Sequence, residues 1–264
     1  LENNSVSTIK WEELSPQAPF LLFVPQNTEM LSEYEKGFKI IDLMKINVLG
    51  FQTHRDDFAV DFDSTVIRSR INEMRDNSIY DEDFKNKYSI SDNRDWKLAK
   101  ARQSLRNNKS WESDFSKCLY RPFDSRHTYF SYVAMDYPRR ELIQNGLNRE
   151  NICLLISRQQ AVKGFRHCFI TKLPANDCVM STTSREANQV FPLYLYPDGD
   201  ELNLGEGKAS ARVPNLNMEI VAKFAEKIGL EFKSSTDIPV CDSKTGKNAC
   251  FTPESLLDYI YAVL

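Results

Sequence analysis

Three short segments carry side chains able to grip an anion or read a hydrogen-bonding edge. The first is Arg158-Gln159-Gln160, directly after the apolar run Asn151-Ile152-Cys153-Leu154-Leu155-Ile156-Ser157, so these side chains emerge at a strand end. Arginine and glutamine make two-point contacts with guanine and adenine in a major groove. Lys163 and Arg166 follow closely and suit phosphates. A polar loop capping a buried strand has the same spacing. The second segment is Tyr120-Arg121-Pro122-Phe123-Asp124-Ser125-Arg126. Pro122 biases Arg121 toward extended geometry, and the expectation is that Phe123 anchors the turn in a core while Arg121 and Arg126 point outward. Interleaved aromatics and arginines suit nucleic-acid contact, and equally a strand on which arginines stack on tyrosines. The third is Thr53-His54-Arg55-Asp56, preceded by Gly50. It is either a rigidly mounted loop contact made through Arg55 or a polar hairpin loop whose exposed Arg–Asp pair contributes little.

Charge is distributed unevenly around these segments. The chain carries a net −3, yet residues 94–172 hold 16 Lys and Arg against 7 Asp and Glu, with acidic flanks on both sides. Arg94, Arg139 and Arg140 belong to this basic third with Arg121, Arg126, Arg158 and Arg166. A basic stretch between acidic flanks fits a nucleic-acid face, and also a solvated, ion-paired surface.

Several chemistries are excluded by what is missing. Gly205-Glu206-Gly207-Lys208-Ala209 lacks both the hydroxyl residue after lysine and the earlier glycine of a phosphate-binding loop. No Pro-Pro pair offers the loop that adenine methyltransferases place against their target base, and neither GxGxxG nor GxSxG occurs. The six cysteines form no CxxC pair and the three histidines lie near none, so no metal site is expected. Scattered cysteines read as reduced thiols of a cytoplasmic protein. No run reaches the roughly 18 apolar residues of a membrane span.

The elements that must position these side chains follow from periodicity. A buried strand is expected at 20–24 and a helix across 28–45. Strands are expected through Val48-Leu49-Gly50-Phe51-Gln52-Thr53 and Phe58-Ala59-Val60-Asp61-Phe62. Helices are expected at 64–76 and 95–107, a short one from Pro138, and two more at 217–228 and 253–264. Strands are expected near Cys118 and Tyr129 and at 151–157, 167–171 and 191–197, with a loop at 198–214. Runs of strand and helix without strict alternation predict an α+β fold: a mixed, mostly antiparallel sheet with flanking helices. A mostly helical part, 1–115, would precede a mixed reading part, 116–264.

The ordered set Gly50-Phe51-Gln52-Thr53-His54-Arg55-Asp56, Asp92-Asn93-Arg94-Asp95-Trp96-Lys97, Tyr120-Arg121-Pro122-Phe123-Asp124-Ser125-Arg126, Ile156-Ser157-Arg158-Gln159, Phe191-Pro192-Leu193-Tyr194-Leu195-Tyr196, Pro214-Asn215-Leu216-Asn217 and Asp258-Tyr259-Ile260-Tyr261-Ala262-Val263-Leu264 resembles the C-terminal specificity region of type ISP restriction–modification enzymes. The resemblance implies a DNA target-recognition domain without catalysis of its own, working in one polypeptide with methyltransferase and helicase-like parts. It implies double-stranded DNA as partner, and S-adenosylmethionine, ATP and Mg as cofactors of the parent rather than of this segment. The parent chain is expected to continue beyond both ends. Arg55, Arg94, Arg121, Arg126, Arg139, Arg140, Arg158, Gln159, Lys163 and Arg166 are the expected DNA contacts. The rivals are a catalytic methyltransferase or nuclease fragment and a coupling scaffold docking an acidic partner.

Overall fold

The structure, a computed structural model, describes residues 7–11, 13–16, 33, 35–157, 167–180, 186–196, 212–234 and 250–264. The chain divides into two units, Leu1–Ile40 and Ile41–Leu264. In the first, the described residues are mostly exposed, and Glu33 pairs with Lys36 at 2.6 Å. The strand expected at 20–24 lies outside the described residues. The helix expected across 28–45 is not continuous: residues 35–37 are turn and bend at Gly37, 38–39 carry no regular structure, and Ile40–Leu43 is helical (α1). An interior glycine costs a helix about 1 kcal/mol.

Capping and periodicity account for the longer helices. Asp63 accepts from the Thr65 N–H at 2.8 Å and opens Ser64–Arg75 (α3), which buries Ile67, Ile71 and Met74. Leu98–Asn107 (α5) buries Leu98, Ala101 and Leu105 at helical spacing. Asn217 caps Met218–Ile228 (α7), which ends on Gly229 at φ +69. Thr252 caps Pro253–Val263 (α8), with proline in the first turn. Asp56–Ala59 forms a single helical turn (α2) that takes Phe58 and Ala59 out of the strand expected at 58–62, because both donate back to the Arg55 carbonyl; of that strand, Val60–Asp61 (β2) is extended. Asp81–Tyr88 (α4) was not expected. It carries three acids in its first turn and lysines in its last, which complements the helix dipole.

Val48–Leu49 (β1), Phe115–Arg121 (β3), Asp124–Tyr129 (β4), Cys153–Ser157 (β5), Cys168–Thr171 (β6) and Asn188–Pro192 (β7) build two sheets, ordered β1-β7-β5-β6 and β2-β4-β3, each antiparallel throughout. The α+β class, with mostly antiparallel pairing, is as expected. Strands β1 and β2, from the helix-rich first part, enter sheets completed after residue 115. Arg140–Gly146 (α6) precedes β5. Isolated bridges join Phe51 to Asn176, Gln52 to Tyr137 and Leu119 to Ala175, stitching the sheets through residues 51–52 and 175–176. The core around them includes Phe51, Phe58, Ile67, Phe84, Trp96, Phe130, Leu155 and Val190.

Candidate nucleic-acid interface

Segment 50–56 is fixed from beneath by close backbone packing. A Cβ at Gly50 would lie 2.5 Å from the Asn176 carbonyl oxygen, so no side chain fits. Phe51 N–H donates to the Ala175 carbonyl at 3.0 Å, and Gln52 and Tyr137 exchange backbone hydrogen bonds at 2.9 and 3.0 Å. From this base the chain turns sharply at His54, with φ +55. That turn decides which neighbour faces out. The Arg55 side chain is only 4% exposed and the His54 side chain 53%.

Arg55 was an expected DNA contact, and the structure places it inside. Its guanidinium donates to the Asp136 carboxylate and lies 3.9 Å over the Trp96 ring. The buried Asp136 also meets His54 Nδ1 at 2.6 Å and accepts from Asn93 at 2.7 Å. Burial pushes the Asp136 carboxyl up, but the donors from Arg55, His54 and Asn93 outweigh it and hold the group below its ordinary value. Burial likewise lowers Arg55, partly offset by Asp136. The segment is thus clamped by a charged knot beneath an outward-facing histidine. A cleft of about 290 Å³ lined by His54, Asp57, Tyr88, Ser89 and Asn93 opens beside it.

Of the other expected arginines, several are tied to residues that contact this segment. Arg94, 88% exposed in its side chain, meets Asp95 at 2.9 Å, and Asp95 accepts from the Tyr137 hydroxyl at 2.5 Å. Arg94 and Tyr137 together hold the Asp95 carboxyl down at about 2. Arg139, at φ +65, lies 4.9 Å over the Tyr137 ring and donates to the Gly50 carbonyl at 3.4 Å. Arg140 beside it is exposed. On the other flank Arg121 donates to Asn176 Oδ1 at 2.7 Å and lies 3.9 Å over Tyr120. The Tyr120 hydroxyl donates to Asp56 at 2.5 Å; burial, then this bond, pushes it up to about 12, so it stays a donor. Arg126 stacks over the same ring at 4.3 Å and over Phe62 at 4.1 Å, paired to Asp124 at 2.8 Å.

Segments far apart in sequence therefore meet here, but the basic third does not form one uninterrupted cationic face. Arg102 is a buried strut and Arg106 donates to the Arg75 and Asp76 carbonyls, while Arg149 lies over Tyr196. Arg158, Gln159, Lys163 and Arg166 lie outside the described residues. Phe123 is corrected too: it is 95% exposed at φ +60, because Pro122 and Phe123 are the two loop residues of the β3–β4 hairpin and the ring projects clear of both strands. His54 is not among the expected contacts, and the left-handed turn that brings it outward has no signature in the local residue types. Among the described residues, the five non-glycine residues with left-handed φ include His54 and Ser89, which line the cleft, Arg139, which contacts the Gly50 carbonyl, and Phe123 at the hairpin tip. Also among the described residues, no cluster of His, Cys, Asp and Glu is disposed to hold a metal, and no helix is long and apolar enough to cross a membrane.

The family model of the type ISP C-terminal specificity domain matches residues 42–264. Among solved structures, the fold is similar to part of the ATP-dependent type ISP restriction–modification enzyme LlaBIII bound to DNA, at 23% identity and TM-score 0.50, covering 69% of this chain and 12% of that one. It is similar to the DrdV–DNA complex at 20% identity and TM-score 0.51, covering 84% and 19%. A nuclease-deletion mutant of the type ISP enzyme LlaGI with a DNA substrate mimic matches at 17% identity and TM-score 0.50, covering 80% and 20%. The chain thus spans at most a fifth of each of these three solved chains. No curated protein matches it.

Proposed function

Because the chain belongs to the type ISP C-terminal specificity domain family, we propose that it reads a target sequence on double-stranded DNA for a restriction–modification enzyme and performs no chemistry itself. The observation that carries this reading is the set of Arg94, Arg121, Arg126, Arg139 and Tyr137 tied to the rigid 50–56 segment or to residues that contact it. Guanidinium groups held in fixed orientation by stacking suit two-point contact with guanine or phosphate. Arg140 joins them, and His54 takes the outward place expected of Arg55, which acts by positioning. Arg158, Gln159, Lys163 and Arg166 are proposed contacts on their chemistry alone. Methyl transfer, ATP hydrolysis and cleavage, with S-adenosylmethionine, ATP and Mg, belong to other parts of the parent polypeptide, which docks this unit. The unpaired thiols Cys118, Cys153, Cys168 and Cys178 support a reducing, cytoplasmic setting.

The test is selection of duplexes from a random-sequence pool by the intact protein, followed by anisotropy titration of the winner against a scrambled duplex. The expected result is a defined consensus, with Arg121→Ala and Arg139→Ala each costing about 1–3 kcal/mol on that consensus. Recovery of no consensus would sink the reading. Calorimetry with S-adenosylmethionine on this chain should give no heat of binding; a saturable signal would support the catalytic-fragment rival.

A further inference from the structure

We infer that Phe123 is a stacking wedge, a ring carried on the tip of the β3–β4 hairpin that inserts against the bases at the target site; this rests on the DNA-reading function proposed above. Pro122 and Phe123 alone connect Arg121 to its cross-strand partner Asp124. The second loop position sits at φ +60 and its ring is 95% exposed. Both features work against folding stability. The left-handed region suits glycine or asparagine there, and a bulky residue is an outlier. A benzyl group left in water contributes nothing through burial. Its aromatic neighbour, Phe169 on edge strand β6, stands edge-on with centroids 6.1 Å apart and leaves the ring almost wholly exposed. Among the described residues the edge-on contact with Phe169 is the aromatic contact Phe123 makes, and a pair so exposed offsets little of the cost of the left-handed backbone, so the gain lies in an external contact.

The surroundings of the tip select the occupant. At its foot Arg126 lies between Phe62 and Tyr120, and Arg121 lies over the same tyrosine, giving a stack of guanidinium and aromatic planes. The carboxylates that face these arginines have partners of their own: Asp124 holds Arg126, and Asp56 accepts from Tyr120 and Thr53. A projecting apolar ring flanked by arginines matches a base step between phosphates, where such wedges partly unstack the duplex. A protein partner would need a broader apolar centre; Phe62 beside it is 69% exposed, but the Arg126 guanidinium lies 4.1 Å over its ring, so the two rings do not join into one apolar patch.

The experiment uses the intact protein and its selected duplex carrying 2-aminopurine at successive positions. Wild type should raise the fluorescence at one step. Phe123→Asn should keep or raise the melting temperature, since asparagine tolerates the turn, while duplex affinity falls roughly tenfold and the fluorescence rise disappears. Phe123→Trp should keep the affinity, with the new indole quenched on binding. Wild-type affinity and wild-type fluorescence in Phe123→Asn would overturn the wedge and leave the reading function standing. Loss of enzymatic coupling with duplex binding intact would assign the ring to a neighbouring protein domain, which also overturns it. Failure of the wild type itself to bind duplex at low salt would overturn the reading function.

Discussion

Asp136 shows why residue type is a poor guide to role at this surface. It is one acid in a basic third of the chain, yet its buried carboxylate joins Arg55, His54 and Asn93 and so fixes the outward course of the 50–56 segment. Removing one partner of a buried ion pair leaves the other uncompensated, so Asp136→Ala should cost about 3–5 kcal/mol in urea unfolding. The pH dependence has a definite sign. Asp136 titrates lower in the folded protein than in the unfolded chain, so its stabilisation is present above the unfolded value near 4 and is lost as pH falls through the folded value. The stability gap between wild type and Asp136→Asn should therefore shrink as pH falls below about 5; a constant gap would mean that the carboxylate's charge is irrelevant. At this scale the sequence marked Gly50 and the arginine-rich segments. It did not show that Arg55 points in and Phe123 out, since the partners of Arg55 lie as far as 81 residues away.

Elements were legible wherever local signals agreed. The helices α3, α5, α7 and α8 combine apolar spacing with caps at Asp63, Asn217 and Thr252 for three of them, and each falls close to its expected span. Helix α4 escaped because Phe84 is its single buried apolar residue; acids first and lysines last were the available signal. Long-range packing decides how these helices join. Arg102, 1% exposed, donates to the Met74 and Asp76 carbonyls at the end of α3 and to Asp81 at the start of α4. Arg102→Met should destabilise the fold by about 1.5–3 kcal/mol by chemical denaturation. Lys100→Ala, exposed on the same helix, should stay within about 0.5 kcal/mol. Equal effects would show that Arg102 is no strut.

For the whole molecule, the question is how much of the basic excess remains available to DNA. Arg94, Arg102 and Arg126 hold local acids, so fewer cations reach phosphates than the count of 16 in residues 94–172 implies. About four phosphate contacts would give a slope of log K against log salt near −4, measured by anisotropy between about 50 and 200 mM. A slope near −10 would mean that the ion pairs open on binding, or that many more cations engage. The amino-acid sequence alone was enough for the family, the α+β class and most of the helices, because ordered motifs, caps and periodicity are local properties of the chain. Only the tertiary structure decided which arginines are struts, which are tied to the 50–56 segment, and that His54 and Phe123 face outward. Those outcomes depend on which distant backbone and carboxylate groups come within hydrogen-bonding distance, and no local pattern encodes that.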